Sequence, residues 1–334
     1  MSPCSRCNRS QKWDPMQELK LALQQEQLRI NAALERFTAE LPGGSQPVAR
    51  HVLAAGGKRL RPFLTLQIGR LFGCRDETLY TLGAAVEMLH AATLLHDDIL
   101  DNADLRRGKP AAHTLFAPTT VILAGDAMLA KAMHMVSRVG DTRLTDCISE
   151  AVMRTAEGEI AEFTVLRNPD LSTEDYLAVI TGKTAWMLRA SCELGAIFSG
   201  ADPDAIRAAA GFGLQLGIAF QIVDDALDFS AGTGKPHGGD LREGKVTPPL
   251  LSYIASLPPH DAAAFKERFR RGPLNEDEVE ALCSAVCAGG HDRRTREQAG
   301  EHLAAAASFL QRFPHSEERT VLEQILEYIL KRDH

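Results

Sequence analysis

Leu94-Leu95-His96-Asp97-Asp98-Ile99-Leu100-Asp101 and Gln221-Ile222-Val223-Asp224-Asp225-Ala226-Leu227-Asp228 are the stretches on which the reading of this chain turns. In each, three aspartates fall at i, i+1 and i+4 of an otherwise apolar run. On a helix, positions i and i+4 lie one above the other on the same face. Asp97 therefore projects with Asp101, and Asp224 with Asp228, while Asp98 and Asp225 sit to one side. Like charges at this spacing oppose helix formation, and charge in apolar surroundings is costly unless it is paired or holds a metal. Oxygen ligands favour hard cations, and Mg²⁺ takes one or two carboxylates together with substrate phosphates. One such cluster could be a solvated helix end. Two of the same form, 127 residues apart, suit two helices facing each other across a bundle core, a usual place for a metal site.

The sequence around them reads as helix nearly throughout. Residues 76–104 are apolar almost all round between Leu82 and Leu95, which predicts a helix in the middle of a bundle. Asp14 can cap a first helix and Pro15 suits its first turn; Leu19, Leu23, Leu28, Ile30, Leu34 and Phe37 give it an apolar stripe that stops at Leu41-Pro42-Gly43-Gly44. A short helix runs to Gly56-Gly57 and another from near Pro62 to Gly73. Further helices are expected over 119–139, 143–167, 172–199 and 203–231, with shorter ones after 245 that end in Leu322–Leu330. Asn168-Pro169, Gly200-Ala201-Asp202-Pro203 and Gly232-Thr233-Gly234 punctuate them. Sustained period-2 alternation is absent. The expected fold is all-α, a single helical domain over residues 14–334 behind a disordered tail of residues 1–13.

A chain of 334 residues with 45% hydrophobic side chains can bury a sizeable core. The 37 Lys and Arg against 44 Asp and Glu leave a formal charge of −7, which argues against nucleic acid as the main partner, since phosphate backbones are bound by basic surfaces. The seven cysteines are irregularly spaced, several in apolar helical context, and point to a reducing, cytoplasmic setting. Cys4-x-x-Cys7 has no second Cys or His pair nearby to complete a zinc site. The first fifteen residues are polar, unlike a secretory signal, and no run reaches the roughly 18 apolar residues of a membrane span.

Basic residues gather beside the aspartates. Lys58, Arg59 and Arg61 stand in Gly56-Gly57-Lys58-Arg59-Leu60-Arg61-Pro62, where the glycines permit a tight turn into a helix N-terminus. Arg106-Arg107-Gly108-Lys109-Pro110 follows the first cluster, Lys183-Thr184 sits in an expected helix, and Lys235 and Lys245 come after the second cluster. Arg suits bidentate phosphate contacts and Lys acts as a point charge, so a phosphorylated small substrate is implied.

Taken in order, Gly56–Pro62, Leu94–Asp101 with Arg106–Pro110, Lys183-Thr184-Ala185, Gln221–Asp228 and Gly244-Lys245-Val246-Thr247 resemble the trans-type polyprenyl (isoprenyl) diphosphate synthases, over about residues 20–332. The resemblance implies an isoprenoid-synthase-type helical bundle around a central cavity, a homodimer, and head-to-tail condensation of isopentenyl diphosphate onto an allylic diphosphate. It implies Mg²⁺, three ions with substrate bound, held by Asp97, Asp101 and Asp224 with Asp98, Asp225 and Asp228 in support. Lys58, Arg61, His90 and Arg107 would bind isopentenyl diphosphate; Arg106, Lys183, Thr184, Gln221, Lys235 and Lys245 would bind the allylic diphosphate. Release of an apolar product would involve peripheral contact with a membrane.

The chain departs from the family pattern at Pro248 after Thr247, at Gly239 before Asp240, and at Trp186 and Met187 after Ala185. The first two touch the loop that carries Lys245. A class I terpene cyclase would need Ser or Thr and then Glu where Asp228 and Gly232 stand, and a non-catalytic subunit would lose an aspartate cluster. Product length is read beneath Asp97. Ala92 and Thr93 are small where short-chain members place an aromatic floor, and Leu89 lies two turns down, ~12 Å away at 1.5 Å per residue. With Met88 these residues are expected to line an open tunnel for a product of about octaprenyl length. The alternatives are a farnesyl or geranylgeranyl synthase, or the catalytic subunit of a hetero-oligomer.

Overall fold

The apolar periodicity of the chain becomes a helical bundle, seen in a computed structural model that describes residues 15–230 and 237–332. Asp14, the Cys4/Cys7 tail and Lys235 lie outside the described residues. The helices are α1 (Pro15–Thr38), α2 (Gln46–Ala54), α3 (Leu60–Leu71), α4 (Thr78–Leu100), α5 (Ala112–Leu115), α6 (Pro118–Ser137), α7 (Thr142–Val165), α8 (Thr173–Ile180), α9 (Trp186–Phe198), α10 (Pro203–Asp228), α11 (Gly239–Glu243), α12 (Pro248–Ser256), α13 (Pro259–Arg270), α14 (Glu276–Ala288), α15 (His291–Leu310) and α16 (Glu317–Lys331). Between α4 and α5 a two-residue ribbon pairs β1 (Leu105–Arg106) with β2 (Lys109–Pro110), turned by Arg107 and Gly108, both at positive φ. Two residues at positive φ are what a tight antiparallel turn requires.

Local chemistry sets the helix starts. Asp141 caps α7, Ser172 caps α8, and Asp202 caps α10, whose first residue is Pro203. Asn275 and Glu278 form a reciprocal capping box on α14. The apolar stripe of α1 differs from expectation at one place. Leu19, Ile30, Leu34 and Phe37 are buried, but Leu28 is 75% exposed. The buried register passes instead through Glu26, which accepts from Arg70 at 2.8 Å and from Tyr80 at 2.6 Å.

Two apolar cores flank the centre. One joins α4, α6, α7 and α9 with the end of α1; the other joins α3, α9, α10 and α15 with the short C-terminal helices. Both aspartate helices, α4 and α10, are long and apolar enough to cross a membrane by composition, yet most of each is buried within the bundle. Besides Asp98, burial of α4 encloses Glu87, which Arg59 meets at 2.7 Å while also donating to the Leu53 carbonyl at 2.6 Å. Breaking such a buried pair from one side costs about 3–5 kcal/mol. The five cysteines among the described residues are all free thiols.

The segment 172–199, expected as one helix, is broken. Thr181–Ala185 is a π turn between α8 and α9. Its cause is a close crossing: a Cβ on Gly158 of α7 would come within 2.2 Å of the Lys183 backbone nitrogen, and one on Gly182 within 2.7 Å of Gly158 Cα. Only two glycines let these backbones touch, and the extra residue in the turn re-aims Lys183 and Thr184.

Candidate active site

The last turn of α4 places Asp97 and Asp101 toward two lysines. Lys245 Nζ stands 3.9 Å from Asp101, 3.7 Å from Glu162 and 2.5 Å from Glu243. Lys183 Nζ donates to Glu162 at 2.7 Å and to Glu159 at 3.0 Å. Glu159 and Glu162 lie on α7 beside Gly158, so the glycine crossing is what brings Lys183 to them. Burial, with the neighbouring charges of Glu159 and Asp101, pushes the Asp97 carboxyl up to about 7 against the pull of Lys183 and Arg106. Asp101 is raised too, by burial and the nearby Glu243 and Glu162, against Lys245 and Lys183. The surrounding carboxylates hold Lys245 and Lys183 protonated despite burial.

Asp98 turns the other way. It is 1% exposed, and one oxygen accepts from Arg106 Nε at 2.7 Å and Nη2 at 2.5 Å. In this state the Arg106 fork therefore anchors the ribbon to α4, with the guanidinium still partly exposed.

The end of α10 is arranged differently. Asp224 has a side chain 41% exposed and pairs with Arg332, which follows α16 and stacks 4.1 Å over Phe220. Asp225 is buried; it accepts from Tyr176 at 2.6 Å and from Gln221 at 2.7 Å, and Thr184 donates to Gln221 at 2.8 Å. Burial pushes Asp225 up to about 7, opposed by these hydrogen bonds. Asp228 accepts from the backbone N–H of Gly239 at 3.1 Å and of Asp240 at 3.0 Å, and so starts α11. The departure at Gly239 is thus harmless, because the backbone N–H is what the site uses. Pro248 is the first residue of α12, where its missing N–H costs nothing, and the Lys245 loop keeps its shape, with Lys245 N–H on the Asp240 carbonyl at 2.8 Å.

A second basic group forms beside Asp224. His90 is held well below its ordinary value by burial and by the charges of Arg61, Arg107, Arg106 and Arg59, so it is neutral at pH 7 among arginines. Arg61 is lowered to about 10 by burial and the nearby Arg107, opposed by Glu87 and Asp224, and its Nε is buried without a hydrogen-bond partner. Arg107 donates to the Gly56 carbonyl. A Cβ on Gly57, at φ +139°, would meet Arg107 Nη1 at 2.5 Å, which explains the glycine pair. Lys58 meets the Tyr328 hydroxyl and lies 4.8 Å from that ring. A group rich in positive charge, with one buried donor still unsatisfied, suits an anion.

Beneath Asp97, Met88, Leu89 and Ala92 are buried in the same core as Met128 and Met187, and Thr93 donates to the His90 carbonyl at 2.9 Å. The expected open tunnel is, in this state, a packed core rich in methionine, the side chain most able to rearrange. A cavity of about 70 Å³ lies instead behind Lys183, bounded by Tyr176, Gln221, Asp225, Lys245 and Thr247. The unusual Trp186 stacks against Arg189 at 4.0 Å, outside the carboxylate groove.

Sequence reasoning missed Glu159, Glu162, Glu243, Tyr176, Tyr328 and Arg332. Gly158 and Gly182 were the legible signal for the first two. The donors offered to a cation are carboxylate oxygens, which fit Mg²⁺. Among the described residues no three His, Cys, Asp or Glu side chains gather closely enough to hold an ion by themselves.

A family profile described as polyprenyl synthetase matches residues 45–286. The chain is 33% identical to octaprenyl diphosphate synthase of Escherichia coli over 92% of this chain and 96% of that one. It is also 33% identical to heptaprenyl diphosphate synthase component 2 of Geobacillus stearothermophilus, over 91% and 95%. A polyprenyl synthase of Caulobacter crescentus, solved with calcium and isoprenyl diphosphate, superposes with a TM-score of 0.90 at 33% identity, covering 96% of this chain and 98% of that one.

Proposed function

The chain belongs to the polyprenyl synthetase family and is a prenyltransferase of isoprenoid-synthase fold, and we propose that it extends an allylic diphosphate by head-to-tail addition of isopentenyl diphosphate to a long-chain product of about octaprenyl length. The observation that carries this reading is the presence of two unlike groups at the ends of the aspartate helices. One is Asp97 and Asp101 with Lys183 and Lys245; the other is the arginine-rich group of Arg61, Arg107 and His90, with Asp224 near Arg61.

In this reading Asp97, Asp101 and Asp224 hold Mg²⁺ shared with the allylic diphosphate. The ions would supply Lewis-acid stabilisation of charge on the leaving diphosphate. Lys183, Lys245, Gln221 and Thr184 orient that diphosphate, with Arg106 at the rim. Its arrival displaces Glu159 and Glu162 from Lys183, so the lysines exchange carboxylate partners for phosphate. Arg61, Arg107 and His90 bind isopentenyl diphosphate, with Lys58 released from Tyr328. Neutral His90 donates one N–H without adding charge. The apolar core below Asp97 keeps water from the allylic cation, and the small Ala92 and Thr93 let the product pass down α4.

The apolar surface of Leu115, Ile122, Leu123, Met153, Ile160 and Phe163 on α5–α7 supports a homodimer of this soluble, cytoplasmic enzyme. The likeness to a component 2 protein favours a second reading, the catalytic subunit of a hetero-oligomer. One experiment separates them. The purified chain alone, with Mg²⁺, farnesyl diphosphate and labelled isopentenyl diphosphate, should make long-chain product at the mass of a dimer. Elongation that starts only on adding a partner subunit would establish the second reading, and none under either condition would refute both.

A further inference from the structure

Tyr176 lies on α8, outside both aspartate helices, yet it is tied to the second cluster. It is buried, and its hydroxyl donates to Asp225 Oδ2 at 2.6 Å. The other oxygen, Oδ1, takes the Gln221 amide at 2.7 Å, and the Gln221 carbonyl oxygen takes the Thr184 hydroxyl at 2.8 Å. The chain of bonds thus runs Tyr176, Asp225, Gln221, Thr184, and joins α8, α10 and the π turn. Its polarity is the one an ionised Asp225 requires. A carboxylate accepts only, and the Gln221 nitrogen faces Asp225 while its oxygen faces Thr184. Gln221 can then offer an incoming diphosphate an N–H and never a repelling carbonyl oxygen.

We infer that Tyr176 is a positioning residue for the allylic half of the site. It holds Asp225 turned into the scaffold, so that Asp224 is the member of its pair that serves the metal and Gln221 keeps its second amide N–H toward the diphosphate. The hydroxyl touches neither substrate nor metal; it acts through Asp225. Buried networks of this kind specify one arrangement only when every member is satisfied. The inference rests on the reading of Gln221 as an allylic-diphosphate ligand.

The test is Tyr176→Phe, which removes one oxygen and keeps the ring. A hydrogen bond to a charged acceptor is worth enough that its loss should raise the KM for the allylic diphosphate about tenfold. The half-saturating Mg²⁺ concentration should rise severalfold. The KM for isopentenyl diphosphate should stay within about twofold, because the arginine group is built on other elements. A merely structural tyrosine would lower Tm and the active fraction and leave both KM values alone; that result overturns the inference. The double variant Tyr176→Phe/Asp225→Asn is measured against Asp225→Asn. Equal allylic KM values mean that Tyr176 acts through Asp225, whereas a further tenfold loss means that it does not. The same pair serves if Tyr176→Phe alone does not fold, since it also removes the unmatched buried charge. Wild-type protein is the control for the underlying reading. Wild type without Mg²⁺-dependent elongation refutes the functional assignment itself, whereas an active wild type with an unchanged variant refutes only the role of Tyr176.

Discussion

At the end of α4, Asp97 and Asp101 face Lys183 and Lys245, and Asp98 is bound into the scaffold by Arg106. At the end of α10 the proportion is reversed: Asp224 remains half-exposed beside Arg332, while Asp225 and Asp228 are taken up by Tyr176, Gln221 and the N-terminus of α11. The two octapeptides have the same aspartate spacing. They differ in what arrives behind them. After α4 the chain leaves in a ribbon that brings back one arginine, to the i+1 aspartate. After α10 it returns as a helix whose first N–H groups meet the i+4 aspartate. One turn earlier they differ again, with Thr93 below Asp97 and the ring of Phe220 below Asp224. Equal motifs therefore need not be equal sites.

The largest effect should come from the pair that faces the lysines. Asp97→Asn and Asp101→Asn should each lower kcat/KM about 10³-fold, measured with saturating isopentenyl diphosphate. If either loses less than the Asp225→Asn variant does, the asymmetry is wrong.

Asp98→Ala probes the anchored member. It strands Arg106 in part and opens a buried site, so it should cost about 2–4 kcal/mol of stability, read as a fall in Tm. The Mg²⁺ requirement of the folded fraction should not change.

The pH dependence sharpens the same contrast. Asp97 holds its proton up to about pH 7 because burial and the charges of Glu159 and Asp101 disfavour the anion. That proton must leave before the carboxylate can ligate a cation. The half-saturating Mg²⁺ concentration should therefore fall as pH rises, about tenfold between pH 6 and pH 8. A requirement that is flat over this range would show that Asp97 is ionised throughout.

The smallest effect on rate, though not on outcome, should follow from putting a ring beneath Asp97, as α10 has Phe220 beneath Asp224. Ala92→Phe does so beside Thr93, five residues before Asp97. Product length on thin-layer chromatography should drop into the farnesyl to geranylgeranyl range with kcat changed only a fewfold. Unchanged product length would mean that Ala92 does not line the path of growth.

Much of this was legible in the sequence, for identifiable reasons. The apolar runs of α4 and α10 are long and uninterrupted, so their helices and central place were readable. The end of α4 was overestimated because Asn102 takes a positive φ and the Ala103 N–H bonds back to the Asp98 carbonyl, which ends the helix before the ribbon begins. The break at Thr181 was invisible locally, since it exists for the contact of Gly182 with Gly158 on another helix. The carboxylates could be named from spacing, but not their directions. Those depend on Arg106, on Gly239 and Asp240, and on Tyr176, which are 8, 11, 12 and 49 residues from the aspartates they hold. Periodicity along one helix carries no record of partners at such separations.

The unequal use of the second cluster is open to one direct measurement. The half-saturating Mg²⁺ concentration is determined for Asp224→Asn and Asp228→Asn at saturating concentrations of both diphosphates. Asp224→Asn should raise it more than about tenfold, and Asp228→Asn, whose partner is the α11 backbone, less than about twofold. Equal increases in the two variants, or a larger one in Asp228→Asn, would contradict the assignment of Asp224 as the metal-facing residue of α10.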